Sequence, residues 1–204
     1  MKWRIGLPKA DEKIHEKLAA GGWQPLKEPL SIGGVLLCSV PFLIISTLLS
    51  FLIIQLFAPL SLEEIGVKEG GLSVSISFSF IGGLVLLMTV HQLLHLLMVP
   101  HFWRSSLTWA GLHALGAFVY SEEKIPKRRL YFLLISPYFL LSVILPVMAG
   151  CFGKLNTDLK LLILINAAGS CTDLLMLFLV LFVPSGTIIR SSGHRSFWKF
   201  EQHP

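Results

Sequence analysis

Residues 91–95 read His91-Gln92-Leu93-Leu94-His95 and lie inside an otherwise apolar run from about 76 to 99. Residues four apart on a helix lie on the same face, one turn above the other, so both imidazole rings can reach one metal ion. The alternative is a pair of buried histidines that hydrogen-bond to neighbouring helices. Because an ionisable side chain inside a membrane is costly and marks a functional site, we interpret His91 and His95 as metal ligands.

The spacing of the two histidines matches the zinc-binding part of the H-E-x-x-H signature of metallopeptidases, with one difference. Gln92 occupies the position of the glutamate. In that signature the glutamate takes a proton from the attacking water and passes it to the leaving amine. A carboxamide has no proton affinity suited to this transfer. The motif therefore predicts a metal site without the usual activation of water.

The composition indicates a polytopic membrane protein. Of the 204 residues, 53% are hydrophobic and 14% are charged, and the mean hydropathy is +0.71, which excludes an ordinary soluble domain. The net charge of +5 is explained by Lys and Arg beside membrane spans and requires no nucleic-acid partner. The amino-terminal segment lacks the apolar core and cleavage site of a signal peptide. The cysteines fall in or beside apolar segments, and we interpret them as reduced packing residues.

Four apolar runs are long enough to cross about 30 Å of hydrocarbon as helices. They cover residues 33–58, 76–99, 130–151 and 161–183. We therefore expect an all-α membrane protein with four transmembrane helices and a short hairpin-like or irregular segment between the second and third. The expected regions are an amino-terminal segment, a transmembrane domain and a tail, at residues 1–30, 31–185 and 186–204.

The distribution of positive residues predicts that both termini lie in the cytoplasm. The segment before the first span, the loop between the second and third spans, and the tail contain fourteen of the seventeen Lys and Arg residues. The two remaining loops contain only Lys68, Lys154 and Lys160. The lipid bilayer is thus an expected partner of the chain.

The segment between the second and third spans is less regular than the spans. Residues 107–120 mix Thr, Trp, Val and Tyr with Gly111 and Gly116, which favours two short strands over a spanning helix. Extended backbone at membrane depth is tolerated where protein covers it or it lines a cavity. A hairpin beside the metal site would meet that condition, and its free edge could pair with an extended substrate. The alternative is an interfacial connecting loop, and His101 and His113 are interpreted as structural or interfacial.

A catalytic zinc site has three protein ligands and an open position, so the two histidines require a third ligand. Asp173 is the only acidic residue inside any predicted span. His91 and Asp173 lie at similar depth, about 12 and about 15 Å from the cytoplasmic ends of their spans. Asn166 lies two turns before Asp173 on the same face, and we expect it to orient a ligand or contact the substrate backbone. Cys171 points away from that face.

Together these features resemble the putative zincin peptidases, small bacterial membrane proteins that look like reduced relatives of the site-2 intramembrane proteases. The resemblance covers about residues 9–183. It rests on the HxxxH helix, the glycine-containing linker, Ser136-Pro137, the helix with Asn166 and Asp173, and the phrase Gly22-Trp23-Gln24-Pro25-Leu26-Lys27-Glu28-Pro29. It implies a zinc-dependent endopeptidase of the bacterial plasma membrane that cleaves membrane-associated or transmembrane substrates. In that case His91, His95 and Asp173 hold the metal and position 92 supplies the base.

The chain departs from the site-2 pattern in two ways. Gly169 and Leu174 stand where that pattern has a proline before the aspartate and a glycine after it, and Gln92 replaces the catalytic glutamate. One explanation is a natural pseudoprotease that keeps the metal and binds membrane segments without cutting them. The other is a natural glutamate that was altered in this copy to silence the chemistry. We favour a protease family member in a silenced form.

Other function classes fit the sequence less well. A non-catalytic membrane adaptor or regulator with the same fold is the main alternative. A haem carrier is disfavoured because histidines at i and i+4 lie on one side of a ring and cannot be its two axial ligands. An ion transporter would have more polar residues spread over several spans.

Reporter tags test the predicted orientation. Tags at residue 1, within residues 121–127 and at residue 204 should all report a cytoplasmic location, and a tag at Gly70 should report the opposite side. A tag within residues 121–127 that reads outside would show that the depth match between His91 and Asp173 rests on a wrong count of spans.

Overall fold

The computed structural model of the chain describes residues 2–5, 12–29, 31–61, 63–68, 71–72, 76–105, 107–113, 116–193 and 195–201. The helices are α1 (Glu12–Ala20), α2 (Ile32–Phe57), α3 (Phe78–Met98), α4 (Lys127–Tyr138), α5 (Leu145–Cys151), α6 (Thr157–Gly169) and α7 (Cys171–Leu181), and a π-helical segment (Phe139–Ile144) joins α4 to α5. The strands are β1 (Lys2–Ile5), β2 (Gln24–Pro25), β3 (Val67–Lys68), β4 (Gly71–Leu72), β5 (Thr108–His113), β6 (Gly116–Ser121), β7 (Ile125–Pro126), β8 (Thr187–Ser192) and β9 (Arg195–Phe200).

The four predicted spans are confirmed as helices that are long and apolar enough to cross a membrane. They are Ile32–Phe57, Phe78–Met98, Lys127–Cys151 and Thr157–Leu181. The third span consists of α4, the π-helical segment and α5, and the fourth consists of α6 and α7. Most of their outward surface is apolar, as expected of helices that face lipid.

The prediction of a strictly all-α protein is wrong, because the described residues also form sheets. A four-stranded sheet has the order β2-β9-β8-β7, and its centre is the antiparallel hairpin β8–β9. From the sequence, residues 186–204 were expected only to form a tail. From Thr187 to Arg190 in β8, buried residues alternate with partly buried ones, which is the pattern of a strand with one covered face. The domain boundaries at 30 and 185 stay a prediction.

The strand pair expected between the second and third spans is confirmed. β5 and β6 pair in antiparallel register from Thr108 opposite Ser121 to His113 opposite Gly116. The parallel strand β1 was not predicted, and it pairs with β5 from Lys2 opposite Trp109 to Ile5 opposite Leu112. One edge of the hairpin is therefore already occupied by the amino-terminal strand.

The chain divides into two compact units. The first comprises residues 1–39, 92–136 and 172–204, and the second comprises residues 40–91 and 137–171. A core cluster of the first unit joins residues of α4 and α7 to the four-stranded sheet: Leu26, Ile125, Leu130, Leu134, Val180, Val183 and Ile189. The buried Lys127 ammonium donates to the Leu181 carbonyl at 3.3 Å and to the Val183 carbonyl, so it caps the end of α7.

Side-chain contacts attach the hairpin β5–β6 to the carboxyl-terminal sheet within the first unit. The Tyr120 hydroxyl donates to Glu122 at 3.2 Å and accepts from the Gly193 backbone N–H at 2.6 Å. Burial raises the pKa of Tyr120 well above its usual range, so the hydroxyl keeps the proton that it donates. Glu28 accepts from the Ser196 backbone N–H, and burial raises its pKa to about 7.

The second unit is fixed at its loop end by a buried lysine. Its core consists of Ile54, Ala149, Leu155 and Ile163. The Lys160 ammonium, near the start of α6, lies 3.0 Å from the Glu64 carboxylate and donates to the Pro59 carbonyl at 3.1 Å. Hydrogen bonding from Lys160 lowers the pKa of Glu64, so the carboxylate stays ionised. Asn156 caps α6 by accepting from the Leu159 backbone N–H at 2.9 Å.

Close packing at Gly150 provides a test of the second unit. A Cβ added at Gly150 would lie 2.6 Å from Phe57 Cβ, whereas a Cβ at Gly82 on α3 would meet nothing within 4 Å. Gly150→Ala should therefore destabilise the folded chain by about 1–3 kcal/mol through overpacking. Gly82→Ala is the matched control and should be neutral or stabilising by up to about 1 kcal/mol, because alanine favours helix. Thermal unfolding in one detergent measures both, and equal transition temperatures would contradict the packing.

Candidate metal centre

Both histidines lie in the second half of α3, one helical turn apart. The run from Phe78 to Met98 contains no proline, so the helix continues through both positions. His91 is buried at 7% exposure, and His95 is partly buried. Because both lie on one continuous helix, their rings share a face, as their spacing predicts.

The Nδ1 atom of His95 is anchored to a backbone carbonyl in the third span. It lies 3.0 Å from the Leu133 oxygen. A carbonyl oxygen can only accept, so Nδ1 carries a proton, and in the neutral ring Nε2 is then the nitrogen with the lone pair. Nε2 lies 3.3 Å from Asp173 Oδ2. The hydrogen bond to Leu133 thus selects the tautomer that can bind a metal beside Asp173.

The Nδ1 atom of His91 is anchored in the same way by a side chain. It lies 2.8 Å from Oδ1 of Asn166, which is fully buried. The amide nitrogen of Asn166 donates to the Pro137 carbonyl at 3.3 Å and to Ser142 Oγ at 2.8 Å. Because the Pro137 carbonyl can only accept, the amide orientation is determined and Oδ1 faces the histidine. His91 Nδ1 therefore donates, and in the neutral ring Nε2 is the nitrogen with the lone pair.

Asp173 lies in the first turn of α7, three residues after the short irregularity at Ser170 in the fourth span. α6 ends at Gly169 and α7 begins at Cys171, with Ser170 between them donating through Oγ to the Asn166 carbonyl at 2.9 Å. The Ser170 backbone N–H donates to the Asn166 carbonyl at 2.9 Å, so the helical hydrogen bonding continues through this junction. The fourth span is therefore one helix from Thr157 to Leu181 that contains Asp173, as the sequence predicted.

His91, His95 and Asp173 form the one group among the described residues whose donor atoms could hold a metal. One ligand atom from each lies within 4.8 Å of the others. Two imidazole nitrogens and a carboxylate oxygen are a donor set that zinc accepts, and three ligands leave a fourth position open. Zinc bonds of about 2.0–2.1 Å in a tetrahedron place neighbouring donors about 3.3 Å apart. The separation of His95 and Asp173 fits that value.

The other residues singled out in the sequence lie outside the donor group. Gln92 follows His91 on α3 and is half-buried. His101 is exposed in a turn with φ of 51°, which agrees with its interpretation as structural or interfacial. The side chain of His113 lies outside the described residues, and Cys171 is buried. The Leu133 carbonyl and Ser142 were not predicted as parts of the site. Pro137, four residues after Leu133, was a sequence signal for the first, because proline leaves the carbonyl four residues earlier without its helical donor.

The chain thus combines four helices that are long and apolar enough to cross a membrane with a zincin-like pair of histidines beside a carboxylate. A family model described as a putative zincin peptidase matches residues 84–188. The chain belongs to this family, and the matched part includes both histidines, Asn166 and Asp173. Neither the curated proteins nor the solved structures include a significant match to the chain.

Metal analysis tests the site directly. We expect the purified chain to carry about one zinc ion, because His91, His95 and Asp173 supply the three ligands of a catalytic-type zinc site and position 92 is not one of them. His95→Ala or Asp173→Ala should reduce the zinc content strongly, as measured by elemental analysis after exchange into zinc-free detergent buffer.

His101→Asn is the matched control, because it removes an exposed histidine and places a residue that tolerates positive φ. It should keep the full zinc content. Undiminished zinc in both the His95 and Asp173 variants would exclude these residues as ligands.

Proposed function

We propose that this chain has the architecture of a zinc-dependent membrane-embedded endopeptidase of site-2 type, with its proton-transfer residue replaced by Gln92. The substrates would be membrane-associated or transmembrane segments. One observation carries the proposal: each histidine is held through Nδ1, so that Nε2 is the metal-binding nitrogen, and His95 Nε2 faces Asp173. Membership of the zincin peptidase family supports it.

In this proposal, residues of the chain bind the metal and orient its ligands. His91, His95 and Asp173 would hold the metal, and Asn166 and the Leu133 carbonyl would keep the two rings in the metal-binding tautomer. When bound, zinc supplies a positive charge that polarises a peptide carbonyl and acidifies water. The apolar spans around the site would exclude bulk water and so strengthen these electrostatic interactions.

Gln92 would allow binding but impair proton transfer. Its amide can donate and accept hydrogen bonds, so it can hold water or a substrate group in place. It cannot take up a proton and deliver it to the departing nitrogen. General acid–base catalysis contributes typically about 10²–10⁴-fold, so we expect at least that loss of peptidase activity.

The hairpin β5–β6 would hold the substrate in an extended conformation. β1 occupies the β5 edge, and among the described residues β6 pairs with β5 alone. A substrate strand would therefore add to the β6 edge through backbone hydrogen bonds. Backbone pairing of this kind requires a locally unwound substrate, which agrees with a membrane segment that contains helix-weakening residues.

We also propose the cellular setting. The four spans suit an integral protein of a bacterial plasma membrane, with both termini in the cytoplasm according to the distribution of Lys and Arg. In this orientation the hairpin and the carboxyl-terminal sheet would lie on the cytoplasmic side, where they could receive a substrate.

Gln92 itself favours a second candidate function. A pseudoprotease would keep the metal and the binding surface and act as a membrane adaptor or regulator that holds its partner without cutting it. The ligand contacts support this alternative equally, because His91 and His95 are oriented by Asn166 and Leu133. The two candidates differ only in whether restoring a base restores cleavage.

Gln92→Glu is the deciding variant. It should cleave a membrane substrate with a helix-loosening segment at least about 10²-fold faster than the chain with Gln92, because a base is again present. Cleavage should be measured by product mass in proteoliposomes at equal zinc content. The control is the double variant Gln92→Glu, His95→Ala, which has the base but lacks a ligand and should be inactive.

A Gln92→Glu chain that binds zinc and the same substrates, yet cuts none of a broad membrane-peptide panel, would favour the adaptor. Equal cleavage by the double variant would instead point to a contaminating peptidase.

A further inference from the structure

Pro137 is a fully buried residue in the last turn of α4, four positions after Leu133. In an α-helix the backbone N–H of residue i+4 donates to the carbonyl of residue i. Proline has no N–H, so position 137 cannot make this bond. The Leu133 carbonyl is thereby left without its ordinary helical donor.

The Leu133 carbonyl accepts from two side chains instead. His95 Nδ1 donates to it at 3.0 Å, and Ser136 Oγ donates to it at 3.2 Å. A carbonyl inside a membrane span must find a partner within the protein, because lipid supplies none. Pro137 leaves the Leu133 carbonyl without a backbone donor, and His95 Nδ1–H supplies a donor in its place.

Pro137 also contributes to the anchor of His91 through its own carbonyl. That carbonyl accepts from Asn166 Nδ2 at 3.3 Å, and Asn166 Oδ1 in turn accepts from His91 Nδ1. The helix becomes π-helical two residues after Pro137, and Ser142 within this segment accepts from the same amide at 2.8 Å. Short π-helical segments are frequent where a helix serves a functional site. Leu133, which accepts from His95, thus precedes Pro137 by one turn. The groups that hold the Asn166 amide beside His91 are the Pro137 carbonyl itself and Ser142, which follows it.

We propose that Pro137 is a positioning residue of the metal centre. By withholding an N–H from the Leu133 carbonyl, it reserves that oxygen for His95 Nδ1–H and so keeps Nε2 as the metal-binding nitrogen. This role rests on the proposed zinc site, and it adds a residue that touches neither metal nor substrate.

Three substitutions test the role through their effect on zinc binding: one should weaken it and two should not. Pro137→Ala introduces an N–H that competes for the Leu133 carbonyl, so it should weaken zinc binding by about 10-fold, the lower end of the usual effect of outer-shell changes. Ser136→Ala removes the competing hydroxyl from the same oxygen and should bind zinc no more weakly than the parent chain. Pro146→Ala removes the other fully buried proline of this span and should stay within about 2-fold. Chelator competition in detergent measures all three.

Histidine NMR on the zinc-free chain separates positioning from a general loss of structure. With ¹⁵N-labelled histidine, the parent chain should show His95 as a single tautomer protonated at Nδ1. Pro137→Ala should shift His95 toward a mixture of tautomers and leave His91 protonated at Nδ1, since Asn166 remains. A purely structural effect would change both rings or neither.

The outcomes distinguish this role from the proposed function. If the parent chain binds no zinc, the zinc peptidase proposal fails, but the tautomer of His95 still decides the role of Pro137. If the parent chain binds zinc and Pro137→Ala binds it equally with an unchanged His95 signal, Pro137 has no positioning role. Should Pro137→Ala not fold, Ser136→Ala decides: the His95 Nδ1–H signal should move downfield as its bond strengthens, and an unmoved signal would overturn the role.

Discussion

Inside a membrane span every polar group needs a partner from the protein, and this requirement shapes the candidate metal centre. An unsatisfied backbone or side-chain group in hydrocarbon costs several kcal/mol. The Leu133 carbonyl and the Asn166 amide meet the requirement by accepting from His95 and His91. Since each acceptor engages Nδ1, the neutral form of each ring has its lone pair on Nε2. The same two hydrogen bonds therefore satisfy buried polar groups in the spans and orient Nε2 of each ring as the metal-binding nitrogen.

The same requirement explains how the ends of the fourth span are held. This span carries both Asn166 and Asp173, so a shift along its axis would disturb the groups that contact the histidines. Lys127 donates to the last carbonyls of α7, and Asn156 accepts from the first turn of α6. Lys160, near the start of the span, pairs with Glu64. The two buried lysines thus hold the ends of the fourth span through hydrogen bonds and an ion pair. These contacts explain why charged side chains occupy buried positions.

The parts of the molecule that depend on local sequence could be predicted, and the parts that depend on distant partners could not. The spans follow from apolar runs, the histidine pair from i, i+4 spacing, and the β5–β6 hairpin from glycines among strand-forming residues. The carboxyl-terminal sheet was missed because β8 and β9 are short and polar in part, and contacts such as that of Glu28 with Ser196 join residues far apart in the chain. The π-helical segment was also missed, because its wide turn is matched to a side chain on another span, Asn166.

Gln92 differs from the ligands in one physical respect that bears on both candidate functions. The described hydrogen bonds that orient His91 and His95 come from Asn166 and Leu133, and residue 92 takes no part in them. In the proposed function, metal binding and proton transfer would therefore be carried by separate groups. Exchange of glutamate for glutamine at position 92 would remove the proton shuttle and one negative charge while leaving the ligand geometry in place. A site with Asp173 as its single carboxylate would retain a net positive charge with zinc bound, which favours holding a peptide carbonyl. Loss of the base at position 92 would thus leave a site that binds a peptide without cleaving it, with no other change in the fold.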